Sequence, residues 1–224
     1  MNSSSKAEGI LAIWNDRRAE EAGFFERWYQ GEHLPERLGV DGFFRGRRYE
    51  SLGEGPQFFT YYEVASPAVL TSPEYLARLD DPTPDTTRIM TSVFTNMNRT
   101  VCRRTRVIGR HRGGHAVTAR FVDERPVAAL EGWLEALAQR PAVARAECWV
   151  ADAAPSRAPT AEEKLRGAGT DRSIGACVFV DVLREADARA LAGEIATQCR
   201  ALGESLGPTP EIGVYRFMSE LESD

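Results

Sequence analysis

The sequence is poor in the features that mark metal-bound, disulfide-linked and membrane proteins. Its four cysteines are widely spaced and form no CxxC pair, which argues against a zinc site and against a disulfide framework. No apolar run approaches the roughly 20 residues that span a bilayer, and residues 1–8 lack the apolar stretch of a signal peptide. These absences predict a soluble cytoplasmic protein with no metal and no membrane partner.

Positive charge is not in excess either. The chain has 28 Lys and Arg residues against 33 Asp and Glu, a net charge of −5, so we expect no nucleic-acid partner. The motifs of P-loop proteins, dinucleotide-binding folds, serine hydrolases and zinc proteases are also missing. The commonest motif-based function classes are therefore not indicated.

What the sequence does contain is a β-α-β-β-α-β pattern in each half, the order of a ferredoxin-like unit. The predicted strands are residues 9–15, 42–50, 56–64 and 99–108, then 116–122, 143–150, 174–183 and 211–218. The predicted helices are one that follows Asp16, then residues 67–79, 86–95, 127–139 and 186–206, with a polar loop at 153–171. Gly31 and Pro35 predict that the first helix kinks or ends near residues 31–34, because proline removes a donor and clashes with the preceding turn.

Short matching segments suggest that the two halves are tandem repeats, residues 1–110 and 111–224. Residues 41–45 resemble 141–145, residues 62–64 resemble 180–182, and residues 104–107 resemble 214–217 in the same order. A four-stranded sheet with helices on one face leaves its other face bare. We therefore expect an α+β fold in which two antiparallel four-stranded sheets close on each other as an intramolecular barrel. The alternative is that each half pairs with another chain, and a homodimer of the two-repeat chain is also compatible with the sequence.

Residues 28–49 carry the most specific pattern in the chain. They combine Trp28, the turn His33-Leu34-Pro35, the step Asp41-Gly42-Phe43 and the strand end Arg48-Tyr49. This pattern resembles the dimeric α+β barrel superfamily and, within it, the EthD-like proteins. The superfamily includes monooxygenases, polyketide cyclases, isomerases and haem enzymes, so the resemblance implies the fold and a small-molecule ligand rather than one reaction. The second half lacks the pattern, which predicts a site in the first half with the second half as its cover.

His33 is the leading candidate for a catalytic residue. It is one of three histidines, and the other two lie in or beside the predicted linker. An imidazole with a pKa near 6.5 can act as a base or an acid at neutral pH. The alternative is a histidine that caps the helix end or packs under the hairpin.

Two arginines and several aromatic residues complete the predicted site. By period-two alternation Arg45 and Arg47 share a strand face with Phe43 and Tyr49, so Arg47 is predicted to hold an oxyanion and Arg45 to bind substrate. The predicted pocket walls are Trp14, Trp28, Tyr29 and Tyr62. The alternatives are an ordinary aromatic core and a solvated strand face.

These residues lead to three functional hypotheses. The first is a cofactor-independent cyclase, isomerase or monooxygenase that acts on an aromatic or carbonyl-bearing metabolite. The second is a non-catalytic ligand-binding or stress-type barrel, and the third is a degenerate paralogue that assembles with another protein. Haem-binding relatives use a histidine in a later helix, and the later predicted helices contain none, so no cofactor is expected.

Overall fold

The segment at the start of the chain that is apolar on both faces forms a central strand, as its pattern predicts. In the computed structural model, strand β1 (Gly9–Arg17) lies between two antiparallel neighbours. The structure describes residues 7–153, 159–167, 172–203 and 208–223, without the side chains of residues 125, 126 and 131. The remaining strands are β2 (Phe43–Ser51), β3 (Phe58–Val64), β4 (Phe94–Ile108), β5 (His115–Phe121), β6 (Val143–Ala151), β7 (Ala176–Val182) and β8 (Glu211–Glu222).

The eight strands close into one antiparallel barrel in the order β1-β3-β2-β8-β5-β7-β6-β4. Within each half the order is that of a ferredoxin-like sheet, and the halves join where β2 pairs with β8 and β4 pairs with β6. The predicted fold class is thereby confirmed: each sheet covers the other within one chain. Strand β4 ends and β5 begins on either side of the predicted linker, while the division into two domains at residue 110 stays a prediction.

Helices cover the outer face of each sheet. The α-helices are α1 (Ala22–Trp28), α2 (Leu34–Leu38), α3 (Pro73–Asp80), α4 (Pro84–Arg88), α5 (Arg125–Ala138), α6 (Ala161–Leu165) and α7 (Glu185–Leu202), and two 3-10 turns lie at Ala19–Glu21 and Pro67–Thr71. Helix α6 lies in the segment predicted to be a polar loop.

The first helix does not end at Gly31. A π-helical segment, Tyr29–His33, joins α1 to α2, so the helical path continues to Leu38. Pro35 has no N–H to offer the carbonyl four residues before it, and the wider π turn changes the pairing at that point instead of breaking the helix. A second π segment, Ile89–Val93, precedes β4.

Aromatic side chains fill the barrel interior. Trp14 stacks on Phe59 with ring centroids 4.9 Å apart, and Trp149 stacks on Phe179 at 5.0 Å. Both tryptophans are completely buried. Aromatic rings are therefore closely packed in this part of the barrel interior.

A β-bulge changes which way the side chains of β2 point. Phe43 pairs with Val64 and Arg45 with Glu63, so the register shifts between Phe43 and Arg45. Phe43 consequently packs against the outer helices, whereas Arg45 and Arg47 face the barrel interior. The predicted common face of Phe43, Arg45 and Arg47 was wrong, because a bulge breaks the period-two alternation.

Candidate functional site

A small cavity lies between the outer face of the first sheet and the helices that cover it. Its volume is about 30 Å³, room for about two water molecules. Its polar lining consists of Tyr29, His33, Arg37, Tyr62, Tyr75, Arg99, Thr160, Glu162, Glu163 and Arg166, and its apolar lining of Leu11, Ile13, Leu79, Met90, Phe94 and Met97. The cavity thus combines apolar walls with several ionisable groups.

His33 is held in the cavity wall by aromatic rings. Its imidazole stacks on Trp28 with centroids 4.3 Å apart and meets Tyr29 edge-on at 5.2 Å. Trp28 is itself fixed, because its Nε1 donates a 2.9 Å hydrogen bond to Thr86 Oγ1. Burial, and then the positive charges of Arg37, Arg48 and Arg166, hold the pKa of His33 well below its ordinary value. The imidazole is therefore neutral at physiological pH.

Three buried polar atoms of the cavity residues lack hydrogen-bond partners within the described part of the chain. They are His33 Nδ1, the Tyr62 hydroxyl and Arg37 Nη1. The Tyr62 hydroxyl lies near that of Tyr29, but the geometry of a hydrogen bond is met only between Tyr29 and Thr60 Oγ1, at 3.1 Å. Buried polar groups are nearly always paired in native proteins. Other buried atoms of the described chain are also unpaired, among them the Tyr61 hydroxyl and Glu63 Oε2, but these three belong to residues that line one cavity, where a ligand or water can pair with them.

Burial keeps the Tyr62 phenol protonated. Loss of solvent is the largest effect and raises its pKa well above 10, and the neighbouring Tyr29 hydroxyl adds to this. A protonated phenol donates a hydrogen bond. Tyr62 can therefore stabilise an oxygen on which negative charge develops.

Arg37 brings a permanent positive charge to the same cavity. Its Nη2 donates a 2.5 Å hydrogen bond to Glu162 Oε1, and both side chains are buried. Burial alone would lower the pKa of Arg37, but Glu162, Tyr75 and Glu36 raise it above its ordinary value. Arg37 was not among the predicted site residues, although it follows His33 by four residues and so lies on the same helix face.

Glu162 reaches the first half from the second half on helix α6. Thr160 caps this helix by accepting a hydrogen bond from Glu163 N, and the Glu163 carboxylate accepts one from Thr160 N. This capping box, Thr160-x-x-Glu163, was the available sequence signal for a helix in the predicted loop. Contacts to the first half come from Ala161 N, which donates to Asp80 Oδ1 at 2.9 Å, and from the Arg37–Glu162 pair.

An open groove adjoins the cavity on its outer side. It has a volume of about 290 Å³ and shares Met90, Phe94, Met97 and Arg166 with the cavity. The groove therefore reaches four of the residues that form the cavity wall.

The structure does not bring Arg47 or Arg45 to His33. Arg47 lies inside the barrel, where its Nη1 is 3.0 Å from Asp181 Oδ2 and its Nε is 3.0 Å from Glu220 Oε2. Arg45 forms ion pairs with Glu220 and Glu222 at the same end of the barrel. The sheet separates both arginines from the cavity, so the predicted pairing of Arg47 with His33 is corrected: Arg37 is the arginine beside that histidine.

The predicted aromatic walls are divided between the two faces of the sheet. Tyr29 and Tyr62 line the cavity, and Trp28 supports His33 from behind. Trp14 belongs to the barrel interior and does not line the cavity. Successive residues of β1 point to opposite faces, which is why Leu11 and Ile13 rather than Trp14 form its wall.

The matching region of the second half is an aliphatic core. The space between helices α5 and α7 and their sheet is occupied by buried residues that include Leu130, Leu134, Leu137, Leu191 and Ile195. The ionisable cavity residues described above come from the first half and from α6.

His33 is expected to make the fold less stable in acid. The unfolded chain takes up a proton near pH 6.5, whereas folded His33 stays neutral because its pKa is lowered. The free energy of unfolding should therefore fall as pH drops through 6.5, by at most about 1.4 kcal/mol per pH unit. Urea unfolding of wild type and His33→Asn from pH 7.5 to 5 should show a larger acid loss in wild type. Parallel pH curves would contradict the lowered pKa.

Two further findings concern the described residues as a whole. None of their helices is both long enough and apolar enough to cross a membrane. Within the same ranges, no group of three or more His, Cys, Asp and Glu side chains is placed to hold a metal ion.

Comparison with known proteins gives a fold relationship only. No family model and no curated protein matches the chain. Among solved structures it is similar to an anthrone oxidase-like protein, with 10% identity, a TM-score of 0.65 and coverage of 100% of this chain and 96% of that one. It is also similar to a proposed monooxygenase from Fusobacterium nucleatum subsp. nucleatum, with 7% identity, a TM-score of 0.61 and coverage of 96% and 95%. A proposed monooxygenase from Lactobacillus acidophilus matches with 9% identity, a TM-score of 0.52 and coverage of 96% and 97%. At these identities the likeness shows that the chain has the ferredoxin-like α+β barrel fold.

Proposed function

We propose that this protein is a cofactor-independent enzyme that acts on a small hydroxyaromatic or carbonyl-bearing compound. The observation that carries the proposal is that His33 Nδ1, the Tyr62 hydroxyl and Arg37 Nη1, all buried and without hydrogen-bond partners in the described chain, belong to residues that line one cavity. A base, a neutral donor and a cation are the groups needed to form and hold an enolate or phenolate.

In this mechanism neutral His33 removes a proton from the substrate. Tyr62 and Arg37 stabilise the oxygen on which the negative charge then resides. The protonated imidazole is a strong acid in this site, because burial and nearby arginines oppose its charge. It can therefore return the proton to a different substrate atom, which gives an isomerised or cyclised product.

Reaction of the same anion with dioxygen is the second route. In this route a CH2 group of the substrate becomes a carbonyl group. One oxygen atom of dioxygen enters the product, and the other leaves as water with the two hydrogens of the CH2 group. The fold likeness to anthrone oxidase-like and monooxygenase proteins favours this route, and the pattern of residues 28–49 leads us to propose an EthD-like first half. Both routes share the deprotonation step, so the test addresses that step.

Tyr62→Phe is expected to reduce turnover without harming the fold. A panel of anthrones, naphthols and dihydroxynaphthalenes would be screened for oxygen uptake and for isomer formation. Loss of the donor should reduce kcat/KM roughly 100-fold. Removal of a buried hydroxyl that has no partner should leave stability unchanged or raise it by about 1 kcal/mol.

Tyr61→Phe is the matched control. Tyr61 is the next residue on β3, its hydroxyl also lacks a hydrogen-bond partner in the described chain, and it faces the barrel interior. It should show the same stability change with normal turnover. Equal activity of Tyr62→Phe and wild type on a confirmed substrate would refute the proposed role of Tyr62.

The second candidate is a ligand-binding barrel without catalysis. The small volume of the cavity favours it. Compounds that bind with an affinity dependent on Tyr62, but that undergo no reaction, would support this function over the enzyme.

A further inference from the structure

Helix α6 places a buried carboxylate at the cation of the first-half cavity. Glu162 Oε1 accepts the 2.5 Å hydrogen bond from Arg37 Nη2, and Glu162 Oε2 lies 3.8 Å from Arg166 Nη1. The side chains of all three residues are less than 8% exposed. One carboxylate is therefore shared by two buried guanidinium groups.

The side chains that surround Glu162 carry an excess of positive charge. Arg37, Arg99 and Arg166 line the cavity, while Glu163, the other acid there, is engaged in the capping box of α6. Without the Glu162 carboxylate the lining would carry three positive charges and one negative charge. Arginine recognises carboxylates with paired hydrogen bonds, so this lining suits a carboxylate from another molecule equally well.

Glu162 serves only part of the cavity. It neutralises Arg37, but His33 Nδ1 and the Tyr62 hydroxyl remain without partners in the described chain. A ligand that carries both a carboxylate and a hydroxyl or carbonyl group would pair with Arg37 and with those two groups. An apolar ring between them would contact Leu11, Ile13 and Met90.

We propose that Glu162 occupies the subsite of a substrate carboxylate, and that the substrate is a small hydroxylated aromatic acid. Arg37 anchors the carboxylate once Glu162 is displaced. This inference rests on the proposed function, because it names the substrate class of the same site.

Helix α6 must move to make room for the substrate ring as well as to free the Arg37 guanidinium group. The cavity of about 30 Å³ is far below the roughly 150 Å³ that accommodates benzene in a protein interior. Besides the ion pair with Arg37, α6 contacts the first half through Ala161 N to Asp80 and Arg166 Nη1 to Met90 Sδ, at 2.9 and 3.3 Å. Leu165 of α6 also packs against the first-half core, so withdrawal of the helix loses these contacts, and a ligand carboxylate must replace that of Glu162 at Arg37. The withdrawal would join the cavity to the adjoining groove.

Binding of 1-hydroxy-2-naphthoate and of uncharged 1-naphthol, measured by titration calorimetry, tests the proposal. Glu162→Gln should bind the naphthoate roughly tenfold to a hundredfold more tightly than wild type, because the internal competitor for Arg37 is weakened. The gain for 1-naphthol should be much smaller. The proposal would be overturned if Glu162→Gln did not increase the affinity for the naphthoate. It would also be overturned if the affinity for both probes increased equally.

Glu36→Gln is the matched control. Glu36 Oε2 lies 3.8 Å from Arg37 Nη1 and does not line the cavity. This variant removes the same charge near the same arginine, so a naphthoate affinity close to that of wild type is expected. A gain equal to that of Glu162→Gln would show a general charge effect and overturn the subsite.

Hydrogen exchange on the wild-type protein provides a measurement that needs no variant. Saturating naphthoate should increase exchange of the α6 amides, and unchanged protection there would overturn the displacement. The two proposals can be separated. If the turnover of neutral hydroxyaromatics depends on His33, the proposed function stands. If Glu162→Gln then has no effect on naphthoate binding, this inference is refuted.

Discussion

His33→Phe is expected to lower kcat by about 10² to 10⁴, the usual contribution of a general base. The phenyl ring can keep the stacking on Trp28 at the 4.3 Å position of the imidazole but cannot accept a proton. The unpaired Nδ1 disappears as well, so the folded state should lose little stability. Steady-state kinetics on a substrate from the hydroxyaromatic panel, with urea unfolding of the same samples, would measure both effects.

His111→Asn is the control for this variant. His111 is exposed in the linker between β4 and β5, and its replacement should leave kcat unchanged. In wild type the acid limb of the pH profile should lie well below pH 6.5, because the lowered pKa of His33 keeps it neutral there. A kcat of His33→Phe within threefold of wild type would exclude His33 as the base.

Arg47→Met is expected to destabilise the fold by about 3 to 5 kcal/mol, since it removes the nearer of the two arginines that face the buried Asp181 carboxylate. The Arg47 side chain is 3% exposed and Asp181 is fully buried. In a chain of this size the loss corresponds to a decrease in Tm of roughly 6 to 20 °C. The specific activity of the folded fraction should be unchanged, because Arg47 lies on the opposite face of the sheet from the cavity.

At lower pH, Arg47→Met should destabilise the fold less. Burial raises the pKa of Asp181 to about 6 even with Arg47 and Arg112 nearby. As pH falls through 6 the carboxyl takes up a proton in the folded state, and a neutral carboxyl needs no cation. Loss of Arg47 raises the pKa of Asp181 further, so the carboxyl of the variant is protonated at a higher pH than that of wild type. The stability difference between wild type and variant should therefore narrow as pH falls toward 6.

Arg45→Met is the matched control on the same strand face. The Glu222 partner of Arg45 is half exposed, so the loss should be about 1 kcal/mol or less. A fall in the specific activity of folded Arg47→Met would restore a catalytic role for Arg47, and equal destabilisation by both variants would contradict its buried position.

The strands and their order could be predicted from the sequence, because local patterns determine them. The doubly apolar β1 required cover on both faces, and the β-α-β-β-α-β order in each half matched a fold that supplies this cover. The helix face with Tyr29 and His33 could also be predicted, since helical spacing places these residues together. Both side chains do line the cavity.

The placement of the arginines and of Trp14 could not be predicted in the same way. A single bulge between Phe43 and Arg45 reverses the face of every following residue in β2, and local periodicity does not reveal it. Trp14 is on the interior face because of how the two sheets close. The choice of face is thus a property of the assembled barrel.

The sequence by itself determined a barrel of two ferredoxin-like sheets and the helix that carries His33. Only the tertiary structure decided that aromatic rings pack inside the barrel, that the cavity lies outside it, and that Arg37 rather than Arg47 is the arginine beside His33. It also decided that Glu162, 125 residues away along the chain, completes the cavity. Short-range patterns follow from backbone geometry, whereas the contact of α6 with the first half depends on closure of the barrel, which brings distant segments together.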